Sequence, residues 1–163
     1  MLGVDPGTAR AGYGVVERPD AGPHRLLECG VIRPPAKAAL ADKLDVIFRE
    51  LEDLIARHRP DALAVENVFV AHNARSALVL GHARGVILLA AARAGLVAFD
   101  YAPRDVKAAV VGRGGATKSQ IQQMVTRLLR LKSAPEPADA ADGVAVALTH
   151  CLRSRTLRRA VVG

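Results

Sequence analysis

Four acidic residues in this chain stand where carboxylates could work together. Asp5 closes the apolar run LGVD at a Pro6-Gly7-Thr8 turn, and Glu66 closes a second run, ALAVE. Asp139 and Asp142 open the segment PADAADG, three residues apart and so on one face of a helix. If the two apolar runs are neighbouring strands, Asp5 and Glu66 meet at one sheet edge, and the last helix can bring the other pair. Carboxylates gathered in a small space repel each other and stay ionised together only with cations among them. All-oxygen ligands suit hard cations such as Mg²⁺ or Mn²⁺. Two such ions about 4 Å apart can activate water and stabilise the leaving oxygen of a phosphodiester. Singly, each acid has a plainer role. Asp5 could cap a turn, Asp139 and Asp142 could complement a helix dipole, and Glu66 could pair with a surface arginine. As a set, beside a basic stretch, they point to metal-assisted chemistry on a phosphodiester.

The elements that must position these acids are legible from periodicity. Leu2–Asp5, Gly12–Glu17 and Arg25–Arg33 read as three strands with short links, an antiparallel meander ended by Pro34-Pro35. Leu40–Arg57 reads as an amphipathic helix, with Leu44, Ile47, Leu51 and Leu54 on one face. Asp61–Glu66 is a buried strand and Asn73–Ala94 a helix rich in small residues. Gly81 and Gly85 lie four apart in it, so close approach of another backbone is expected there. Gly95–Asp100 reads as a fifth strand, followed by a short helix near Arg104–Ala109, a GRGG loop, a helix over Lys118–Leu131 and a last helix over Ala138–Leu152. The fold class is α/β: a mixed five-stranded sheet, antiparallel meander plus βα units, flanked by helices. One domain is expected over residues 1–163, with a basic tail at about 153–163.

Composition narrows the partner. Lys and Arg number 23 against 16 acids, for a formal net charge of +7. The excess is local. Between Tyr101 and Lys132 stand Arg104, Lys107, Arg113, Lys118, Arg127, Arg130 and Lys132 against the single acid Asp105. A polyanionic partner fits this footprint, nucleic acid first. Half the residues are hydrophobic, which argues against disorder, and aromatics are only 3%, so the core must be aliphatic. Cys29 and Cys151 make no disulfide framework and read as reduced, buried thiols. No signal peptide precedes the first strand, and the longest apolar run, Val86–Ala92, is short for a membrane span, so a cytoplasmic protein is expected.

The segments GVDPGTARAGYGVV, AVENVFVAHNARSALVLGHARGV, VKAAVVGRGGATKSQIQQMV and ADAADGVAVALTHC, in this order and spacing, resemble the RuvC family of Holliday-junction resolvases. The resemblance covers nearly the whole chain. It implies a ribonuclease-H-like fold, a homodimer, and Mg²⁺ or Mn²⁺ as cofactor, with two ions per site. It further implies symmetric cleavage of four-way DNA junctions in recombination and repair, leaving 5′-phosphate and 3′-hydroxyl ends, alongside a branch-migration motor of the RuvA–RuvB type. Carried over by position, Asp5 resembles the first-strand metal ligand, Glu66 the central one, and Asp139 and Asp142 the pair at the start of the last helix. Some family members have a histidine where this chain has Asp139, and glutamine is familiar where it has Asn67. Lys107 and Lys118 stand where the family has lysines near the DNA backbone, and Phe69 where it has a ring that contacts junction bases. Phe69 is one of only three phenylalanines and could serve as an apolar wedge or as core. Arg75 and Arg113 are further candidate DNA contacts, whereas His72, His82 and His150 read as structural or surface residues.

Two other readings are weaker. GRGGATKS nearly fits a nucleotide phosphate loop of the ATPase type but has Thr117 where that loop needs glycine. A non-catalytic nucleic-acid-binding module explains the charge but leaves four placed acids without a role.

Overall fold

The computed structural model describes residues 1–67 and 74–161, with side chains described as far as Arg153. Five strands form one sheet: β1 (Leu2–Asp5), β2 (Ala11–Glu17), β3 (Arg25–Ile32), β4 (Ala62–Glu66) and β5 (Val97–Tyr101). Their order across the sheet is β3-β2-β1-β4-β5. The β1–β2 and β2–β3 pairs are antiparallel, and β4 runs parallel to both β1 and β5. This is the expected meander continued by βα units. Leu63 and Val65 point into one core and Ala64 into the other, so β4 is apolar throughout.

Two helices cover one face, α1 (Leu40–His58) and α2 (Ala74–Arg93), packing Ile47, Leu51, Leu54 and Ile87 against Val4 and Val65. Three cover the other: α3 (Pro103–Val111), α4 (Lys118–Leu128) and α5 (Ala138–Val161). Every residue of α5 from Val144 to Thr149 is buried, which explains its lack of a polar stripe there. Glu28 ties β3 to α1. Burial pushes its carboxyl up, but hydrogen bonds from His58, Tyr13 and Arg57 outweigh that and bring it down to about 2.

The contact that sets the site is between α5 and the strands beneath it. A Cβ on Gly12 would stand 1.8 Å from the carbonyl oxygen of Asp139, and one on Gly143 would stand 2.4 Å from the Tyr13 Cα. Gly3 meets the Ala147 amide nitrogen in the same way, at 2.2 Å. Glycine on both sides therefore lets the helix backbone lie directly on the strand backbone.

Several expectations are corrected. Among the described residues of the chain itself, Gly81 and Gly85 form no close-approach seam: a Cβ at either would have no described atom within 4 Å. Gly95 does not begin β5. It takes φ 69 and closes α2, with Leu96 N–H donating to the Ala91 carbonyl and Gly95 N–H to that of Ala92, a Schellman cap. The helix expected to reach Leu131 ends at Leu128, because Arg130 turns left-handed (φ 53) and Leu131 N–H bonds back to the Thr126 carbonyl. The expected tail after 153 continues α5 to Val161. Cys151 is buried, but Cys29 is only half-buried. α2 as a whole is long and apolar enough to cross a membrane by length and composition, yet its Ala83, Ile87, Ala90 and Ala91 pack in the core.

Candidate active site and nucleic-acid face

The acids come together through backbone pairing. β1 and β4 are adjacent and parallel, with Val4 opposite Val65, so each strand delivers its terminal acid, Asp5 or Glu66, to the same sheet end. On the other side of β1, Asp5 is paired with Gly12, the glycine on which the Asp139 carbonyl rests. The seam thus fixes the first turn of α5, with Asp139 and Asp142, over the end of β1.

The electrostatics register this gathering. Burial, then the Asp142 charge, pushes Asp5 up to about 6, with Asp139 adding to the effect and Lys118 opposing it. Burial, then Asp5 and Asp142, pushes Glu66 up to about 7, against Lys107 and Lys118. Two cations also contact the cluster. Lys118 Nζ lies 2.9 Å from Asp142 Oδ2, and Arg10 Nη1 lies 3.5 Å from Asp139 Oδ2. Lys118 was expected on the DNA backbone; it stands inside the acid cluster, held by α4, whose N-cap is Thr117. Thr117 and Gln120 form a capping box, so the threonine that breaks the phosphate-loop pattern has a structural task.

Among the described residues, no three His, Cys, Asp or Glu side chains form a group that could hold a metal ion in this arrangement. Asp142 and Asp139 are engaged by Lys118 and Arg10 instead. The donor set still fits a hard divalent cation. It is all carboxylate, it stands at one sheet end, and burial, with the charge of neighbouring acids added to it, holds Asp5 and Glu66 protonated above their ordinary range.

The other candidate residues fall around this centre. Lys107 is on α3, close enough for its charge to favour ionised Glu66. Arg113 is exposed in the turn after α3, and Arg75 is exposed in the first turn of α2. Phe69 and His72 lie outside the described residues. His150 is structural, as expected: its Nδ1 is 2.9 Å from the Tyr101 hydroxyl and its ring packs on Phe99 with centroids 4.3 Å apart. Sequence reasoning missed Arg10. The available signal was a lone cation in the turn that follows Asp5.

A pH dependence follows for the protein held in EDTA. Asp5 and Glu66 bind protons more tightly folded than unfolded, so their contribution to stability is full at low pH. It is lost as pH rises from the ordinary carboxylate range through about 6 for Asp5 and about 7 for Glu66. Asp5→Asn should flatten that decline and gain on the order of 1–2 kcal/mol over the parent at pH 8. Denaturant unfolding at stepped pH checks it; parallel curves for the two proteins would show that Asp5 is not strained by its neighbours.

Comparison with known proteins agrees with this fold. The family model described as "Crossover junction endodeoxyribonuclease RuvC" matches residues 1–150. A protein of that name from Roseiflexus sp. (strain RS-1) is 47% identical, over 97% of this chain and 94% of its own. The structure of Thermus thermophilus RuvC superposes with a TM-score of 0.87 at 36% identity, covering 96% of each chain. The same protein in complex with Holliday junction substrate gives 0.89. The mitochondrial resolvase Ydc2 of yeast, at 13% identity and a TM-score of 0.68, shares the fold. With its sheet order, its acids at the ends of β1, β4 and the start of α5, and these matches along nearly its full length, the chain belongs to the RuvC family of crossover junction endodeoxyribonucleases.

Proposed function

We propose that this chain is a single-domain endonuclease that resolves four-way DNA junctions, with Asp5, Glu66, Asp139 and Asp142 as its metal-binding catalytic set. The observation that carries the reading is the parallel pairing of β1 and β4, which delivers Asp5 and Glu66 to one sheet end, where Asp142 is near enough for its charge to raise both. These four carboxylates would hold Mg²⁺ or Mn²⁺, which would supply an activated water and charge for the departing 3′-oxygen, leaving 5′-phosphate and 3′-hydroxyl ends. The chain's own residues do the rest. The seam under α5 sets the spacing of the carboxylates. Lys118, once released from Asp142, and Lys107, next to Glu66, bind the scissile phosphate. Arg75 and Arg113 contact the backbone farther out, and Phe69 wedges a base step; the sequence alone supports these three roles.

The test compares a four-way junction with a linear duplex of the same sequence, with and without Mg²⁺. Metal-dependent, paired nicks in the junction alone are expected. Tight binding without cleavage at any metal concentration would favour the non-catalytic module.

Two equivalent strands call for two sites related by a two-fold axis, hence a homodimer. The outer face of α2 fits a second copy. Leu78 and Leu89 are 63% and 53% exposed, and with Gly81, His82, Gly85 and Val86 they line a shallow groove of about 440 Å³. Glycines that meet nothing among the described residues leave room for a partner's helix. Leu78→Glu with Leu89→Glu should yield a monomer by analytical ultracentrifugation and a protein that nicks one strand without the other. A double variant that stays dimeric would place the interface elsewhere. The cytoplasmic setting and the RuvA–RuvB-type motor complete the proposal on the resemblance.

A further inference from the structure

We propose that the outer face of α4, with the turn after it, is a second backbone-binding track that holds one strand of a junction arm beyond the cleavage centre. This rests on the junction-resolving reading above. A groove of about 500 Å³ lies there, and its lining includes Ser119, Gln122, Gln123, Arg127, Lys132 and Ser133. The lining contains no acid, in a chain with 16 of them. Hydroxyls, amides and cations without carboxylates are the chemistry that holds a sugar–phosphate backbone.

The helix aims this set outward. α4 buries Ile121 and Val125 against the core, so Ser119, Gln123 and Arg127, four apart in turn, fall along its exposed side. Gln120 is occupied in the capping box and takes no part. Thr126 donates its hydroxyl proton to the Gln122 carbonyl at 2.7 Å, so the side-chain donors left to a phosphate are Ser119, the two glutamines, Arg127, Lys132 and Ser133.

Position ties the track to the cleavage centre. Lys118, the first residue of α4, sits on Asp142, and the groove begins at the next residue. From Ser119 to Arg127 the helix rises about 12 Å, and Lys132 carries the cationic lining into the turn. At about 3.4 Å per nucleotide along one duplex strand, that spans roughly three or four phosphates, of which two would face a full positive charge. The scissile phosphate is assigned above to Lys107 and Lys118 beside the acids; these phosphates belong to the same arm, leading away from it.

The test uses the full chain with Arg127→Gln, which keeps helix propensity, Lys132→Gln in the exposed turn, and the double variant. Affinity for a labelled synthetic four-way junction is measured in EDTA across a range of salt. Each single variant should reduce the slope of log affinity against log salt by about 0.9, and the double by about 1.8. Melting temperature and the single-turnover cleavage rate at saturating protein should match the parent, because both side chains are exposed and remote from the acids. Trimming the arms until they end at the crossover should erase the difference between parent and double variant. An unchanged slope in the double variant, or an equal loss on trimmed arms, overturns the track. A parent that does not distinguish junction from duplex defeats the resolvase reading instead, so the two failures are separable.

Discussion

Asp142→Asn is expected to lower junction cleavage by about 10³-fold or more while affinity for the junction is kept or raised. Asp142 is the acid whose charge pushes both Asp5 and Glu66 up, and its side chain is only 16% exposed. Replacing an anionic ligand with a neutral one forfeits several kcal/mol of cation-dependent transition-state stabilisation, which is about three powers of ten in rate. Binding moves the other way. A negative charge is removed beside the DNA phosphate, and Lys118 loses the carboxylate that holds it at 2.9 Å. Single-turnover cleavage with Mg²⁺, alongside affinity in EDTA, separates the two effects. Asp5→Asn, Glu66→Gln and Asp139→Asn should behave alike. Near-parental cleavage by any of them would remove that acid from the catalytic set.

Gly143→Val leaves the chain largely unfolded at ordinary temperature. The first added carbon would stand 2.4 Å from the Tyr13 Cα and 2.5 Å from its amide nitrogen. Both obstacles are backbone in a central strand, so no rotamer change relieves them. Lifting α5 off the sheet would open the core around Val144, Ala145 and Leu148, a loss above about 4 kcal/mol and a large share of a domain's total stability. Gly115→Ala is the matched control. Its Cβ meets nothing within 4 Å, so a change within about 0.5 kcal/mol is expected. Thermal and denaturant unfolding of both variants decide it. A Gly143→Val protein that melts with the parent would mean the helix does not lie on the strand as described.

Much of the architecture could be read from local pattern. Turn chemistry and period fix β1, β3, β4 and α1 to within a residue or so, because their signals are contained within each segment. The four acids were legible for the same reason, as the terminal residue of a strand or the first turn of a helix. Errors arose where the deciding contact comes from elsewhere in the chain. Two glycines four apart on α2 look like a packing seam, yet the glycines that permit close approach are Gly3, Gly12 and Gly14 on strands and Gly143 on α5. Nothing in any one of those segments names its partner. The pairing of Lys118, a candidate DNA contact, with Asp142 was not legible, because that carboxylate lies 24 residues further on. Arg10 was missed for a like reason, and Gly95 was assigned to a strand because a Schellman cap and a strand start both favour a glycine before apolar residues.

The seam between α5 and β2 also has a consequence for biosynthesis. Arg10 and Asp139, in contact in the folded protein, are 129 residues apart in the chain. A ribosome adding roughly ten residues per second needs about 13 s to travel from one to the other. Throughout that interval the nascent chain carries Asp5 and, later, Glu66, but no helix to lay across β1 and β2. The cutting centre closes only when the last helix has left the exit tunnel and settled on its glycines. On the proposed catalytic set, a truncated or stalled product emerges with two of the four candidate acids, so premature termination is not expected to yield an unregulated nuclease.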